Sequence, residues 1–356
     1  MYILINNTHY HFKTMLVAVC FFAVSCLLFC CSEKHPPRNV ERSFYYWKSI
    51  FKLTDFEKKR LDSLQVKTIY LKFFDVDWND EIHQPIPKAQ VRIIDTVYLK
   101  SNKIKIIPAV FITNECIQKI STSQVNELAG KIVLLVKNIQ INSLPGLKIN
   151  EVQIDCDWSS STKEKYFSLL TSIKNLGFPN LSATIRLHQV KFSATTGVPP
   201  VTKGLLMCYN MGNLKDPATK NSIIETAELK KYAGNLGTYP LPLDVGLPLF
   251  DWYVLVRKNK YKGLVKSIDT HNPVLSATAA DQFIFLKDTI LNDIEFKKDD
   301  LLRREKSEYY EVVNTAAFIS SKLKNSAPSV ALFHLDSVTL KKFSTHELEN
   351  IYNSLH

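Results

Sequence analysis

The sequence predicts an α/β fold of the (β/α)8 (TIM-like) barrel type, with departures from regularity allowed and helical extensions at both ends. Three observations carry this. Short apolar runs alternate along the chain with amphipathic stretches of helical period, as parallel strands with helical crossovers do. Within several runs the polar residues share one parity and gather toward the carboxyl end. No Gly-x-Gly-x-x-Gly or other phosphate-cradling loop follows the first run, as an open dinucleotide-binding sheet would require.

At the amino terminus, Lys13 precedes an almost unbroken apolar run over residues 15–31, and the chain then turns abruptly polar at Ser32-Glu33-Lys34-His35-Pro36-Pro37. This is the pattern of a signal peptide. A spanning helix needs about 20 apolar residues, and this run is shorter and ends in cysteines, so processing is expected rather than anchoring by a helix. Leu28-Phe29-Cys30-Cys31 resembles a lipobox, which makes Cys31 the expected lipidated residue and Cys26 the second candidate. An ordinary signal peptide or an uncleaved anchor is the alternative. The organisation that follows is a lipoprotein signal peptide over 1–31, a tether over 32–42 and a single barrel domain over 43–356. The expected location is the cell envelope, lipid-anchored to a membrane, at the outer membrane or cell surface.

With 46% hydrophobic and 22% charged residues in 356, the chain is able to bury a large core. Its net charge of +11 comes from lysines spread along the whole length. No Arg-rich or aromatic-basic motif gathers them, so nucleic acid is not an expected partner. A solvated lysine surface resting against anionic lipid head groups fits better. Of the seven cysteines, Cys20, Cys26, Cys30 and Cys31 belong to the leader. Cys116, Cys156 and Cys208, scattered through apolar runs, read as buried free thiols. No Cys/His spacing suggests a metal, and no cofactor is expected.

Phe44-Tyr45-Tyr46-Trp47 and the helical stretch 55–64 read as a cap on one end of the domain. The expected strands are 68–77, 105–113, 151–158, 181–188, 204–210, 241–250 and 329–336. Pro108, Pro242 and Pro248 weaken the second and sixth, because proline cannot donate to a ladder. Ser121 with Gln124, Ser161 with Glu164, and Ser344 with Glu347 have capping-box spacing at helix starts. Val125, Leu128, Ile132, Leu135 and Val136 form one apolar stripe, and Tyr166, Leu169, Leu170, Ile173 and Leu176 another. Gly177-Phe178-Pro179 ends the second helix. Residues 257–327 read as cover for the last crossover, with helical-looking pieces at 281–291 and 306–323. Residues 344–355 read as a closing helix.

Strand alternation puts Glu151, Gln153, Asp155 and Asp157 on one face and Val152, Ile154, Cys156 and Trp158 on the other. The apolar set belongs against helices and the acids in the lumen, where they must be hydrogen-bonded, paired or wet. Asp75 with Asp77, Thr184 with Arg186 and His188, and His334 with Asp336 repeat the pattern at the end where parallel barrels place their active sites. The candidate catalytic carboxylates are therefore Asp155, Asp157, Asp75 and Asp77. The candidate substrate-binding residues are Arg186, His188, Tyr209, Asn210, Trp78 and Trp252. A structural ion network, with Arg186 neutralising Asp155 or Asp157, is the competing account of the same residues.

Two strings sharpen this. Asp155-Cys156-Asp157-Trp158 resembles the Asp-x-Asp-Trp strand end of chitinase-type glycoside hydrolases, and Met207-Cys208-Tyr209-Asn210 resembles their Met-x-Tyr-Asp/Asn strand end. The resemblance implies a sugar-positioning role for Asp157 and Tyr209. In those enzymes the first string continues into the glutamate that protonates the glycosidic oxygen; here Ser159 stands in its place, so the acid is not carried over. More widely, Thr184-Ile185-Arg186-Leu187-His188-Gln189, Gly197-Val198-Pro199-Pro200, Tyr239-Pro240-Leu241-Pro242-Leu243-Asp244 and Leu247-Pro248-Leu249-Phe250-Asp251-Trp252 resemble uncharacterised Bacteroidetes-type surface lipoproteins with a chitinase-like barrel. What this implies is a glycan or other small polar ligand held in an acidic pocket, with the membrane as partner through the N-terminal lipid. Either the glycan is hydrolysed, which usually takes two carboxyl groups about 5–10 Å apart, or the chain is a binding lipoprotein that has lost its acid.

Overall fold

The computed structural model describes residues 38–216 and 219–356. The leader and Cys31 lie outside the described residues, as does the tether up to Pro37. Eight strands build the barrel: β1 (Glu41–Tyr46), β2 (Thr68–Asn79), β3 (Lys105–Ile112), β4 (Val152–Asp155), β5 (Leu181–Arg186), β6 (Lys203–Met207), β7 (Leu243–Pro248) and β8 (Ser329–Phe333). Each pairs in parallel with the next in sequence, and β1 pairs with both β8 and β2, so the barrel is closed. One further strand, Gln84–Lys88, adds antiparallel to the outer end of β2.

Seven strands coincide with the expected runs, five lying wholly within them, β2 running two residues past its run and β6 beginning one residue before its own. The eighth, β1, replaces the cap expected at 44–47 and begins at Glu41, two residues inside the expected tether. Its alternation is hidden because both faces are aromatic. Tyr45 joins the lumen cluster of Tyr70, Ile107, Leu205, Met207, Tyr209 and Ala331, whereas Phe44 and Tyr46 pack outward. Pro248 is the last residue of β7, where its missing donor does little harm. Pro108 lies within β3 opposite Leu71, next to a bulge in β2 between Lys72 and Phe74.

The outer layer contains α1 (Asp55–Ser63), α2 (Val125–Ser143), α3 (Lys163–Leu176), α4 (Tyr309–Ser320) and α5 (Thr345–Asn353). Val125, Leu128, Ile132 and Val136 of α2 and Tyr166, Leu169, Leu170 and Ile173 of α3 are buried in the large core between helices and strands. Each large apolar side chain sealed there contributes about 1.5–3 kcal/mol. Leu176, at the end of its stripe, is exposed. The Ser121–Gln124 capping box forms on a 3-10 turn leading into α2, and Ser344–Glu347 caps α5. The expected Ser161–Glu164 box does not form. Thr162 is the N-cap of α3, and its hydroxyl accepts from the Ser159 amide and donates to Asn114 instead.

Between β7 and β8 lies a five-stranded antiparallel sheet of Lys260–Val265, Asp251–Arg257, Leu301–Lys306, Gln282–Phe285 and Leu275–Ala279, with a hairpin of Thr289–Leu291 and Ile294–Phe296. The helix expected at 281–291 is therefore two strands. Phe285 sends its ring into a small core and stacks on Phe296 at 4.3 Å, and Asp281 turns the chain at φ 57°. Within the region the second helical reading holds, as α4. Residues 38–356 form one compact unit containing the barrel, its helices and this insertion. No described helix is long and apolar enough to cross a membrane.

Candidate functional site

The lumen-facing residues of β4 form a polar column. At the base, Glu151 accepts from the Ser182 hydroxyl at 2.8 Å and pairs with Lys203 at 3.2 Å. Above it Gln153 accepts from the Tyr45 phenol, and its amide nitrogen is buried without a partner. Asp155 follows, buried, accepting from the Thr184 hydroxyl at 2.6 Å. Burial pushes the Asp155 carboxyl up to about 6; Arg186 pulls it down and Asp157 pushes it up again. Ile154, Cys156 and Trp158 face the helices as the alternation requires, and Trp158 stacks on Tyr166 at 5.2 Å.

Asp157 lies just past the end of β4, with 51% of its side chain exposed, and Arg186 at the end of β5 grips both its oxygens. Burial works against the Arg186 charge, but Asp157 and Asp155 outweigh it and hold the guanidinium firmly protonated. A cleft of about 290 Å³ opens over this pair, lined also by His188, Tyr209, Asn210 and Tyr232. His188 stands on the short helix Leu187–Lys191 rather than on the strand, and burial lowers its pKa against the pull of Asp157. The Tyr209 phenol is buried with no hydrogen-bond partner. Burial pushes its pKa up, so it stays a neutral donor. Asn210 follows in a left-handed conformation, φ 56°.

The other candidates are placed differently. Asp75 keeps one oxygen on Lys72 at 2.9 Å and the other buried and unpartnered. It is close enough to Asp155 to raise its pKa. Asp77 is bound up at the rim by Lys88 at 2.7 Å, Thr113 at 3.1 Å and the Trp78 amide, and the Lys88 bond holds its pKa below the ordinary carboxylate range. Trp78 is partly buried against the large core. Trp252 opens the inserted sheet, donates to Glu305 at 2.9 Å and packs on Phe250. Asp336 caps the helix Ser337–Leu340 and pairs with Lys48 at 2.5 Å, and His334 is partly buried beside it.

Three contributors escaped the sequence reading. Gln189 donates to the Trp158 carbonyl at 3.0 Å and accepts from the Arg186 amide at 2.8 Å, tying the β4 and β5 ends together. Phe333, at the end of β8, lies 5.6 Å from Tyr209 and 5.9 Å from Trp47, at the end of β1. With Phe250 these rings make a partly buried aromatic floor that meets the polar cleft at Tyr209. Their positions at strand carboxyl ends were the available signal.

Ser159 donates or accepts within a hydroxyl cluster, 2.9 Å from Ser161 and 3.3 Å from Thr162. No carboxylate stands at that position.

No family model and no curated protein matches the chain. Among solved structures it is similar to a chitinase from Chromobacterium violaceum, with TM-score 0.54 and 10% identity over 88% of this chain and 98% of that one. It is also similar to the spore cortex-lytic enzyme SleL of Bacillus cereus, with TM-score 0.52 and 12% identity over 91% and 76%. A GH18 chitinase from Cycas revoluta, solved in complex with (GlcNAc)3, gives TM-score 0.53 and 11% identity over 89% and 99%. What the chain shares with them is its fold, the closed eight-stranded α/β barrel of glycoside hydrolases.

Proposed function

We propose that this chain is an exported lipoprotein that binds a glycan of N-acetylated sugars in the cleft at the carboxyl end of its barrel, without hydrolysing it by the chitinase route. The carrying observation is the state of the carboxylates. Asp157 is clamped by Arg186, and Ser159, tied into its hydroxyl cluster, occupies the position of the proton donor. Around them stand groups suited to recognition: the unpartnered Tyr209 hydroxyl, the Arg186–Asp157 pair, His188, and an aromatic floor fit for the apolar face of a pyranose ring. The (GlcNAc)3 bound by the Cycas revoluta chitinase suggests the sugar class. Export and lipidation at Cys31 are read from the leader and the resemblance to Bacteroidetes-type surface lipoproteins. Mass spectrometry of the mature amino terminus tests them; an unmodified chain beginning elsewhere would remove them.

A second reading, hydrolysis with Asp155 as proton donor, is favoured by one observation, the rise of its carboxyl to about 6. Calorimetric titration with N-acetylglucosamine oligosaccharides, with reducing ends assayed in parallel, separates the two. Binding without new reducing ends is expected, weakened about tenfold in Tyr209→Phe by loss of one hydrogen bond. Reducing ends that disappear in Asp155→Asn would establish the second reading. No binding to this or any other glycan would end both.

A further inference from the structure

The opposite end of the barrel has a character of its own. The segments leading into the strands, 64–67, 101–104, 144–150, 177–180, 197–202, 239–242 and 321–328, contain no Asp or Glu. They carry Lys67, Lys103, Lys148, Lys322 and Lys324, all exposed. None of the five has a carboxylate partner among the described residues. Of the acids flanking this end in sequence, Glu41 and Asp62 are engaged by the Thr68 and Tyr98 hydroxyls, and Glu151 and Asp244 are buried on Lys203. The mouth carries Asp80, Glu81, Glu115, Asp157 and Asp336, with Asp80 and Glu115 paired to Lys119, Asp157 to Arg186 and Asp336 to Lys48.

Two further features share the basic end. Because α2 and α3 run back against the strands, their carboxyl ends emerge here, and they expose Ile141 (68%) and Leu176 (49%). The chain also enters the fold at this end, where Arg38 is held by the carbonyls of Leu323 and Asn325, seven residues after Cys31.

We infer that the strand-entry end of the barrel is a membrane-docking surface for anionic lipid head groups, which holds the ligand cleft facing away from the bilayer. Lysines next to an anionic leaflet each add a small attraction, and isolated apolar side chains among them suit the head-group boundary. A tether of a few residues keeps this face, and not the mouth, within the reach of the surface charge. The inference goes beyond glycan binding and rests on the tethering at Cys31 only for its setting. Its test therefore uses a chain without lipid.

The barrel, its helices and its core lie within residues 38–356, so an unlipidated chain of residues 32–356 keeps them. Co-sedimentation with vesicles of mixed phosphatidylglycerol and phosphatidylcholine should show binding that is lost on pure phosphatidylcholine and in high salt. Replacing Lys67, Lys103, Lys148, Lys322 and Lys324 with Gln should weaken it about tenfold or more. Replacing Lys258, Lys260, Lys262, Lys287 and Lys298 of the insertion, an equal change in charge, should leave it nearly intact. Equal losses in the two variants would reduce the effect to net charge and overturn the inference, as would equal binding to neutral vesicles. Failure of lipidation would appear in the terminal mass and would leave the vesicle result standing.

Discussion

At the scale of single residues, Asp155 and Asp157 show how two neighbouring carboxylates take opposite characters from their surroundings. Asp155 is buried with one hydroxyl donor, and its pKa of about 6 lies above that of the unfolded chain. The folded state thus holds a proton that the unfolded state has released, and stability falls as pH rises from about 4 through about 6. At about 1.4 kcal/mol per pKa unit the loss is roughly 3 kcal/mol, complete above that window. Asp155→Asn retains an acceptor for Thr184 and carries no charge. It should flatten the pH dependence measured by chemical denaturation between pH 4 and 7 and be the more stable form at neutral pH. Asp157 is half exposed, so Asp157→Asn should cost only about 1 kcal/mol. It also removes the like charge beside Asp155 and leaves Arg186 to act on it, so the Asp155 carboxyl should titrate lower when followed by carboxyl-carbon NMR. An unmoved Asp155 titration would show that the two groups do not sense each other.

At the scale of elements, legibility followed periodicity. The strands with apolar residues on one face and polar on the other, β4 and β5 above all, were readable to within a few residues. That same alternation brought Asp155, Asp157 and Arg186 to one end of the barrel, where Tyr209 and Asn210 join Asp157 and Arg186 in the cleft. β1 was not readable as a strand because Phe44, Tyr45 and Tyr46 look alike in sequence while Tyr45 alone turns to the lumen. The inserted strands were missed because lysine-rich segments around a small core show no clean period of two. Trp252 read as a candidate substrate-binding residue; its pairing with Glu305 depends on a residue 53 positions away, which no local pattern reveals. Packing between strands gives a sharper test. A methyl group on Gly204 in β6 would fall 2.6 Å from Ile185 and 2.8 Å from Leu243 on the neighbouring strands. Gly204→Ala should lower the stability measured in urea by about 1–3 kcal/mol. A neutral result would mean that β5 and β7 can part without cost.

At the scale of the whole molecule, a buried carboxylate helps fasten the insertion to the barrel, beside the Asn221 bond to Lys306 and the Lys342–Asp251 pair. Glu305, with no exposed side-chain surface, accepts from the Ser222 amide at 3.0 Å, the Trp252 indole at 2.9 Å and Arg303 at 2.9 Å. Ser222 belongs to the loop after β6, which also carries Asn210 and Met211 of the cleft. Glu305→Ala leaves Arg303 buried without its partner, and a loss of about 3–5 kcal/mol is expected in chemical denaturation. A smaller loss would mean that water replaces the carboxylate.

The closure of the barrel has a consequence for how the chain comes into being. β1 is complete by Tyr46, yet it lies between β2 and β8, and the Ser43 hydroxyl donates to the carbonyl of Val330, 287 residues downstream. A contact of such span is slow to form, because most of the loop-closure entropy must be lost before the pairing is gained. During synthesis the sheet keeps two open edges until Ser329–Phe333 has emerged. A growing chain of this design therefore stays unclosed until nearly its whole length exists, and the last strand to be made is the one that locks the first in place.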